Sequence, residues 1–163
     1  MNLAVIDTNV LIDFLENGAY AAVLRQYDRL LVPAPVDAEF RAGLDPGTRT
    51  GRNRAALLDE FLADPSVEYV PAGPAESRKF AQLYRYLKRQ GTPLPLHDGW
   101  IAATALVRDL PLCTADRHYR RIPLLRLVRE DGSESLPPPC TTGRPAARKK
   151  FSNDWKNFSP VFQ

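Results

Sequence analysis

The chain has 163 residues, 44% hydrophobic and 25% charged, a mix that supports one globular domain with its own core and excludes a disordered or collagenous chain. A net charge of +3 and a pI near 9.0 admit a nucleic-acid partner without demanding one. No apolar run reaches membrane-spanning length, and Met1 leads into a strand with no basic leader, so a cytoplasmic location is expected; Cys113 and Cys140 lie in unrelated contexts and form neither a disulfide framework nor a zinc cluster.

The first element is the apolar run Leu3 to Ile6, which does not alternate and so reads as a strand covered on both faces. Asp7 follows at its carboxyl end, then Thr8 and Asn9, then Val10 to Leu15 at helical spacing. Ala19 to Leu30 has the apolar spacing of a helix, Leu30 to Val32 reads as a second strand, and Val36 to Leu44 as a short helix stopped near Gly43 and Pro46. Asp45 to Arg54, rich in Gly, Thr and Arg, is expected to be a loop carrying Arg49, Arg52 and Arg54. A helix over Ala55 to Leu62, a strand over Val67 to Val70 and an amphipathic helix over Ala75 to Gln90 follow, the last closed by Gly91. A proline-rich loop then delivers His97 and Asp98 to a helix over Gly99 to Arg108. Leu112 to Thr114 reads as a fourth strand ending at Asp116, and Leu124 to Val128 as a fifth. Short strands alternating with helices predict an α/β architecture: a short parallel sheet of four to five strands between helical layers. After about Glu130 the pattern gives way to Pro, Gly and basic residues, so residues 1–129 are expected to form the domain and 130–163 a Pro-rich, basic, flexible tail.

Four acids fall at comparable junctions: Asp7 past the first strand, Glu39 in the helix after the second, Asp98 at a helix start and Asp116 past the fourth strand. In a parallel sheet these junctions share one edge, so the carboxylates should converge in a single crevice. Each alone has an ordinary explanation, as a helix cap, a solvated helix residue or a turn former. Crowded together they repel, and either their pKa values rise or a cation compensates them. Oxygen ligands favour Mg²⁺ or Mn²⁺ over zinc, and such a site suits phosphodiester cleavage.

Ala4-Val5-Ile6-Asp7-Thr8-Asn9-Val10-Leu11-Ile12-Asp13, Ala38-Glu39-Phe40-Arg41-Ala42-Gly43, Asp98-Gly99-Trp100-Ile101-Ala102-Ala103-Thr104-Ala105 and Thr114-Ala115-Asp116 together resemble the PIN-domain nucleases, most closely the VapC-type toxins of toxin–antitoxin pairs, over roughly residues 1–128. The resemblance implies a three-layer α/β/α PIN-like fold and a Mg²⁺- or Mn²⁺-dependent endoribonuclease. It carries Asp7 and Asp98 over as principal metal ligands and Glu39 and Asp116 as the rest of the acidic site. Thr8, Asn9 and Thr114 match supporting polar positions. It further implies a homodimer restrained by a VapB-type antitoxin. The entry to the Glu39 helix, Val32-Pro33-Ala34-Pro35, departs from the family's usual form.

Other residues admit two readings. His97 serves either as a proton shuttle or as a packed loop residue, and Trp100 is assigned to core or dimer contact rather than to stacking. Arg117, Arg120 and Arg121 flank His118 in a basic turn; Arg117 and Arg120, with Arg49, Arg52 and Arg54, are candidate RNA contacts. Two competing functions are a non-catalytic PIN-like module that binds RNA or protein, and a haloacid dehalogenase-like phosphatase. The second needs an aspartate two residues after Asp7, where Asn9 stands.

Overall fold

The computed structural model describes residues 1–135. In chain order the elements are β1 (Leu3–Ile6), α1 (Thr8–Asn17), α2 (Ala21–Leu24), β2 (Arg29–Pro33), α3 (Ala34–Ala42), α4 (Arg49–Leu62), β3 (Val67–Val70), α5 (Pro74–Arg89), α6 (Leu96–Arg108), β4 (Leu112–Cys113), a 3₁₀ segment (Arg117–Arg121), β5 (Leu127–Val128) and β6 (Glu134–Ser135). The strands form one sheet in the order β3-β2-β1-β4-β5-β6. The first five are mutually parallel, as the sequence predicts, and β6 joins β5 antiparallel through Leu127–Ser135 and Val128–Glu134 pairs. This last pairing uses residues just past the expected domain end at 129. The tail's basic and aromatic residues from 136 onward lie outside the described residues.

The order fixes where a site can form. From β1 the chain builds outward through β2 to β3, then returns to add β4 on β1's other side. The carboxyl ends of β1 and β4 are therefore adjacent at the point where the winding reverses, where open α/β sheets leave a crevice. β1 is the central strand for good reason: Ala4, Val5 and Ile6 are all fully buried. Val10 and Leu11 of α1, Leu31 and Val32 of β2, Ile101 and Ala102 of α6 and Leu112 of β4 belong to the same core.

Several boundaries differ from the sequence reading. The helix expected over Ala19 to Leu30 shrinks to the single turn of α2, because Tyr20 enters it in the left-handed conformation (φ 63°) and Arg29 already pairs in β2. The segment expected as a loop from Asp45 to Arg54 becomes helical at Arg49. There Thr48 caps α4, its Oγ1 accepting from Gly51 N at 3.0 Å while donating to the Asp45 carbonyl at 2.9 Å. A Cβ on Gly51 would stand 1.9 Å from that same carbonyl oxygen, so this close approach requires glycine. The prolines before Glu39 and Asp98 do not obstruct helix entry. Pro33 is the N-cap of α3 with Pro35 in its first turn, and Pro95 is the N-cap of α6, positions where a missing N–H costs nothing.

Among the described residues no helix is long and apolar enough to cross a membrane. Trp100 is half-buried, outside the main core, with its ring stacked on Phe80 at 4.9 Å. Gly99 is buried against the same Phe80 ring.

Candidate metal-dependent active site

Asp7 ends β1 and begins α1. Its Oδ1 accepts from Thr8 N at 2.9 Å, so it is the N-cap of α1, and it is also the most buried of the four acids, only 3% exposed. The Asp7 carboxylate therefore meets the capping role that the sequence admits for it. Two further donors hold it: Thr114 Oγ1 donates to Oδ2 at 2.6 Å, and Tyr119 Oη donates to Oδ1 at 3.2 Å. Burial pushes the Asp7 carboxyl up to about 6, against the hydrogen bonds from Thr114, Thr8 and Tyr119, and the charge of Asp98 adds to the rise.

Thr114, just past β4, joins the two strand tips. Its hydroxyl donates to Asp7 and accepts from Asp116 N at 3.0 Å, so one side chain sets both acids. Asp116 in turn caps the 3₁₀ segment, accepting from His118 N at 2.8 Å, with His118 Nδ1 3.3 Å from the same oxygen. Thr8 donates through Oγ1 to Glu39 Oε2 at 2.6 Å, tying α3 to α1. Asp98 occupies the first turn of α6 but does not cap it; Pro95 is the cap residue and no side chain closes that end. Burial first, then the charges of Asp116 and Glu39, raise the Asp98 carboxyl above the usual range, while His118 and His97 oppose the rise.

The four acids thus belong to one electrostatic neighbourhood. Ligand atoms of Asp98, Asp116 and His118 all lie within 4.8 Å of one another, close enough to share one cation. Asp7 is coupled to Asp98 by charge but stands outside that trio. The carboxylate oxygens of Asp98 and Asp116 suit a hard divalent cation such as Mg²⁺ or Mn²⁺, whereas the His118 imidazole in the same trio suits a softer metal. Burial is the leading cause of the rise at both Asp7 and Asp98, and the neighbouring carboxylates add to it.

Of the supporting polar residues, Thr8 and Thr114 are buried within the site, whereas Asn9 is exposed on the first turn of α1. The candidate RNA contacts divide. Arg54 pairs with Glu16 and lies 5.6 Å from the centre of the Phe40 ring, and Arg52 donates to the carbonyls of Pro46 at 3.2 Å and Gly47 at 3.1 Å. Arg49 is exposed at the start of α4. Arg117 and Arg120 stand on the 3₁₀ segment directly after Asp116. His97 is exposed beside Asp98. Sequence reasoning missed Tyr119, which is fully buried against Asp7. Nothing in the hydrophobic pattern marks it, because its approach depends on the 3₁₀ turn set by Asp116. His118 carried no metal-ligand signal in the sequence, since its closeness to Asp98 comes from the same turn.

A PIN domain family model matches residues 4–125. The chain is 35% identical over 123 residues to Ribonuclease VapC5 of Mycobacterium tuberculosis (strain ATCC 25618 / H37Rv), covering 71% of this chain and 84% of that protein. Among solved structures, VapBC-5 from Mycobacterium tuberculosis, a member of the VapBC family of toxin–antitoxin systems, aligns with a TM-score of 0.64 and 28% identity over 79% of this chain and 99% of that one. DNA-bound VapBC from Salmonella typhimurium aligns with a TM-score of 0.71 and 22% identity over 80% and 99%, a likeness of fold alone.

Proposed function

As this chain belongs to the PIN-domain family and, within it, to the VapC type, we propose that it is a divalent-metal-dependent endoribonuclease, the toxin of a VapBC-type pair acting in the cytoplasm. The observation that carries the reading is the meeting of Asp7, Glu39, Asp98 and Asp116, drawn from four separate segments, at the sheet's topological switch point. Asp7, Asp98 and Asp116 would hold Mg²⁺ or Mn²⁺, with Glu39 completing the acidic set. When bound there, the cation supplies Lewis acidity to water and to the phosphodiester and offsets the charge of both the carboxylates and the phosphate.

The chain's own residues supply order. Asp7 cannot swing away, because the Thr8 amide and the Thr114 and Tyr119 hydroxyls fix both its oxygens. Thr8 aims Glu39 toward the same crevice, and Thr114 sets the backbone that carries Asp116. This preorganisation costs nothing at the moment of reaction, which is what makes fixed groups effective in phosphoryl chemistry. Water attacks phosphorus in line, the 3′ oxygen leaves and takes a proton from solvent, and the products carry 5′ phosphate and 3′ hydroxyl ends. A homodimer and a VapB-type antitoxin complete the assembly, in keeping with the VapBC complexes whose toxin fold this chain shares.

The test is cleavage of single-stranded RNA with Mg²⁺, with EDTA, and with Asp7→Asn and Asp98→Asn. Each substitution should lower Mg²⁺-dependent cleavage by about 10²-fold or more, on the scale of losing one preorganised charge-stabilising group. Undiminished cleavage by either variant refutes the reading.

A further inference from the structure

Beside the acidic site the carboxyl edge opens a second crevice of about 510 Å³, whose wall includes Tyr20, Ala115, Arg117, Arg120 and Arg129. Ala115 lies between Thr114 and Asp116, so this crevice is continuous in the chain with the site itself. Its three guanidiniums come from two elements: Arg117 and Arg120 from the 3₁₀ segment, and Arg129 from the residue directly after β5. None of the three forms an ion pair with a described residue. Arg29, Arg41, Arg54, Arg108 and Arg126, elsewhere on the molecule, are each paired with a carboxylate.

Two acids also line the crevice, Glu130 and Asp131. Asp131 Oδ1 accepts from Ser133 N at 2.8 Å and so closes the β5–β6 turn; hydrogen bonds from Ser133 first, with help from the charge of Arg129, hold its carboxyl below the usual range. Arginines outnumber carboxylates there, next to a site where carboxylates crowd. Tyr20 contributes a second, independent sign. It holds φ at 63°, a conformation unfavourable for any residue with a bulky β-carbon substituent, yet it is only 7% exposed and forms part of the wall. Backbone strain held in place by surrounding packing concentrates at binding sites.

We propose that this crevice is a phosphate-binding subsite for the single-stranded RNA flanking the cleaved bond, with Arg117, Arg120 and Arg129 on successive phosphates. The proposal rests on the ribonuclease reading. Guanidiniums are suited to the role because their planar fork meets two phosphate oxygens at once. They also answer a physical need. Four acids repel a polyanion, so cations beside them must draw the backbone in. Arg129 was not among the residues that the sequence singled out, and of the α4 arginines, none of which lines the crevice, Arg52 and Arg54 are engaged by their own fold.

The experiment is fluorescence anisotropy of a 5′-fluorescein-labelled single-stranded RNA, in EDTA so that no cleavage intrudes, across a range of KCl concentrations. Single-strand binding loses about 0.7 in log–log salt slope per phosphate contact, so Arg117→Ala/Arg120→Ala/Arg129→Ala should flatten the slope by about 2. Affinity at low salt should fall at least tenfold, and Arg129→Lys should restore most of the slope lost in Arg129→Ala. Circular dichroism of each variant checks that the fold is intact. A triple variant that is folded and binds RNA with the wild-type affinity and slope overturns the subsite, and if wild type still cuts RNA, the ribonuclease reading survives. Wild type that binds with the arginine-dependent slope but never cuts RNA with Mg²⁺ overturns the ribonuclease reading while supporting the subsite.

Discussion

Replacing Asp7 by asparagine should make the metal-free protein more stable at neutral pH. The Asp7 carboxyl sits at about 6 in the fold against 3.8 for a free aspartate. Between those values the folded chain binds more protons than the unfolded chain, so stability falls as pH rises through the window and stays low above it. A difference of 2.2 pH units corresponds to a cost of about 3 kcal/mol at pH 7 and above, at 1.36 kcal/mol per unit. Asparagine removes the charge but keeps the shape, and its oxygen can still accept from the Thr8 amide. The same oxygen can still accept from Tyr119, but the amide nitrogen must meet the Thr114 hydroxyl, which has to rotate from donating to accepting, so the net gain should be about 1–3 kcal/mol. Urea unfolding in EDTA at pH 8 and at pH 4 measures it. The expected result is a stabilised variant at pH 8 and a much smaller difference at pH 4, where wild-type Asp7 is protonated in the fold and only a little over half ionised in the unfolded chain. A variant less stable than wild type at pH 8, or a difference that does not change with pH, refutes the reasoning.

Tyr119→Phe deletes the donor 3.2 Å from Asp7 Oδ1 without opening a cavity; it should cost about 1 kcal/mol and push the Asp7 titration still higher, read from its carboxyl carbon by NMR. Gly51→Ala forces a Cβ onto the Asp45 carbonyl and should destabilise the domain by about 3 kcal/mol in urea unfolding, whereas Gly18→Ala, with open space around its Cβ but φ at 68°, should cost about 1 kcal/mol. Mg²⁺ affinity, measured by calorimetry, should weaken as pH falls through about 6, because Asp7 must lose its proton to serve the cation, and Asp7→Asn should abolish most of that pH dependence.

Asp7, Asp98 and Asp116 were legible as candidates because each sits at a boundary between hydrophobic patterns, and a parallel sheet brings such boundaries to one edge; Glu39 stands inside α3 and has no such mark. Asp7 follows a run with no alternation, and Asp116 follows the short apolar stretch of β4. What stayed hidden depends on contacts across the chain. Tyr119 reaches Asp7 only because Asp116 caps a 3₁₀ turn, and the Thr114 hydroxyl spans 107 residues to the same carboxylate. The α4 start was misread for a related reason. A Gly, Thr and Arg composition reads as a loop, but Thr48 is a helix cap and Gly51 is buried against a backbone carbonyl. Proline marks the entries of α3 and α6, which begin at Ala34 and Leu96, a little before the expected starts at Val36 and Gly99.

The placement of Asp7 follows from the cost of keeping it charged. A buried carboxylate raised to about 6 weakens the fold by roughly 3 kcal/mol at neutral pH, a large part of a small domain's margin. Its immediate neighbours Ile6, Val10 and Leu11 are fully buried, and each such side chain contributes about 1.5–3 kcal/mol, so two of them offset the acid. On an edge strand such as β3, where Glu68 and Tyr69 are exposed, the same carboxylate would be solvated, unshifted and free to rotate. The central strand is the place where a carboxylate can be made unhappy enough to need a cation and still be held still by packing. Fold order and chemistry are linked there: the reversal of winding beside β1 makes the crevice, and the packing of β1 allows an acid to be buried in it.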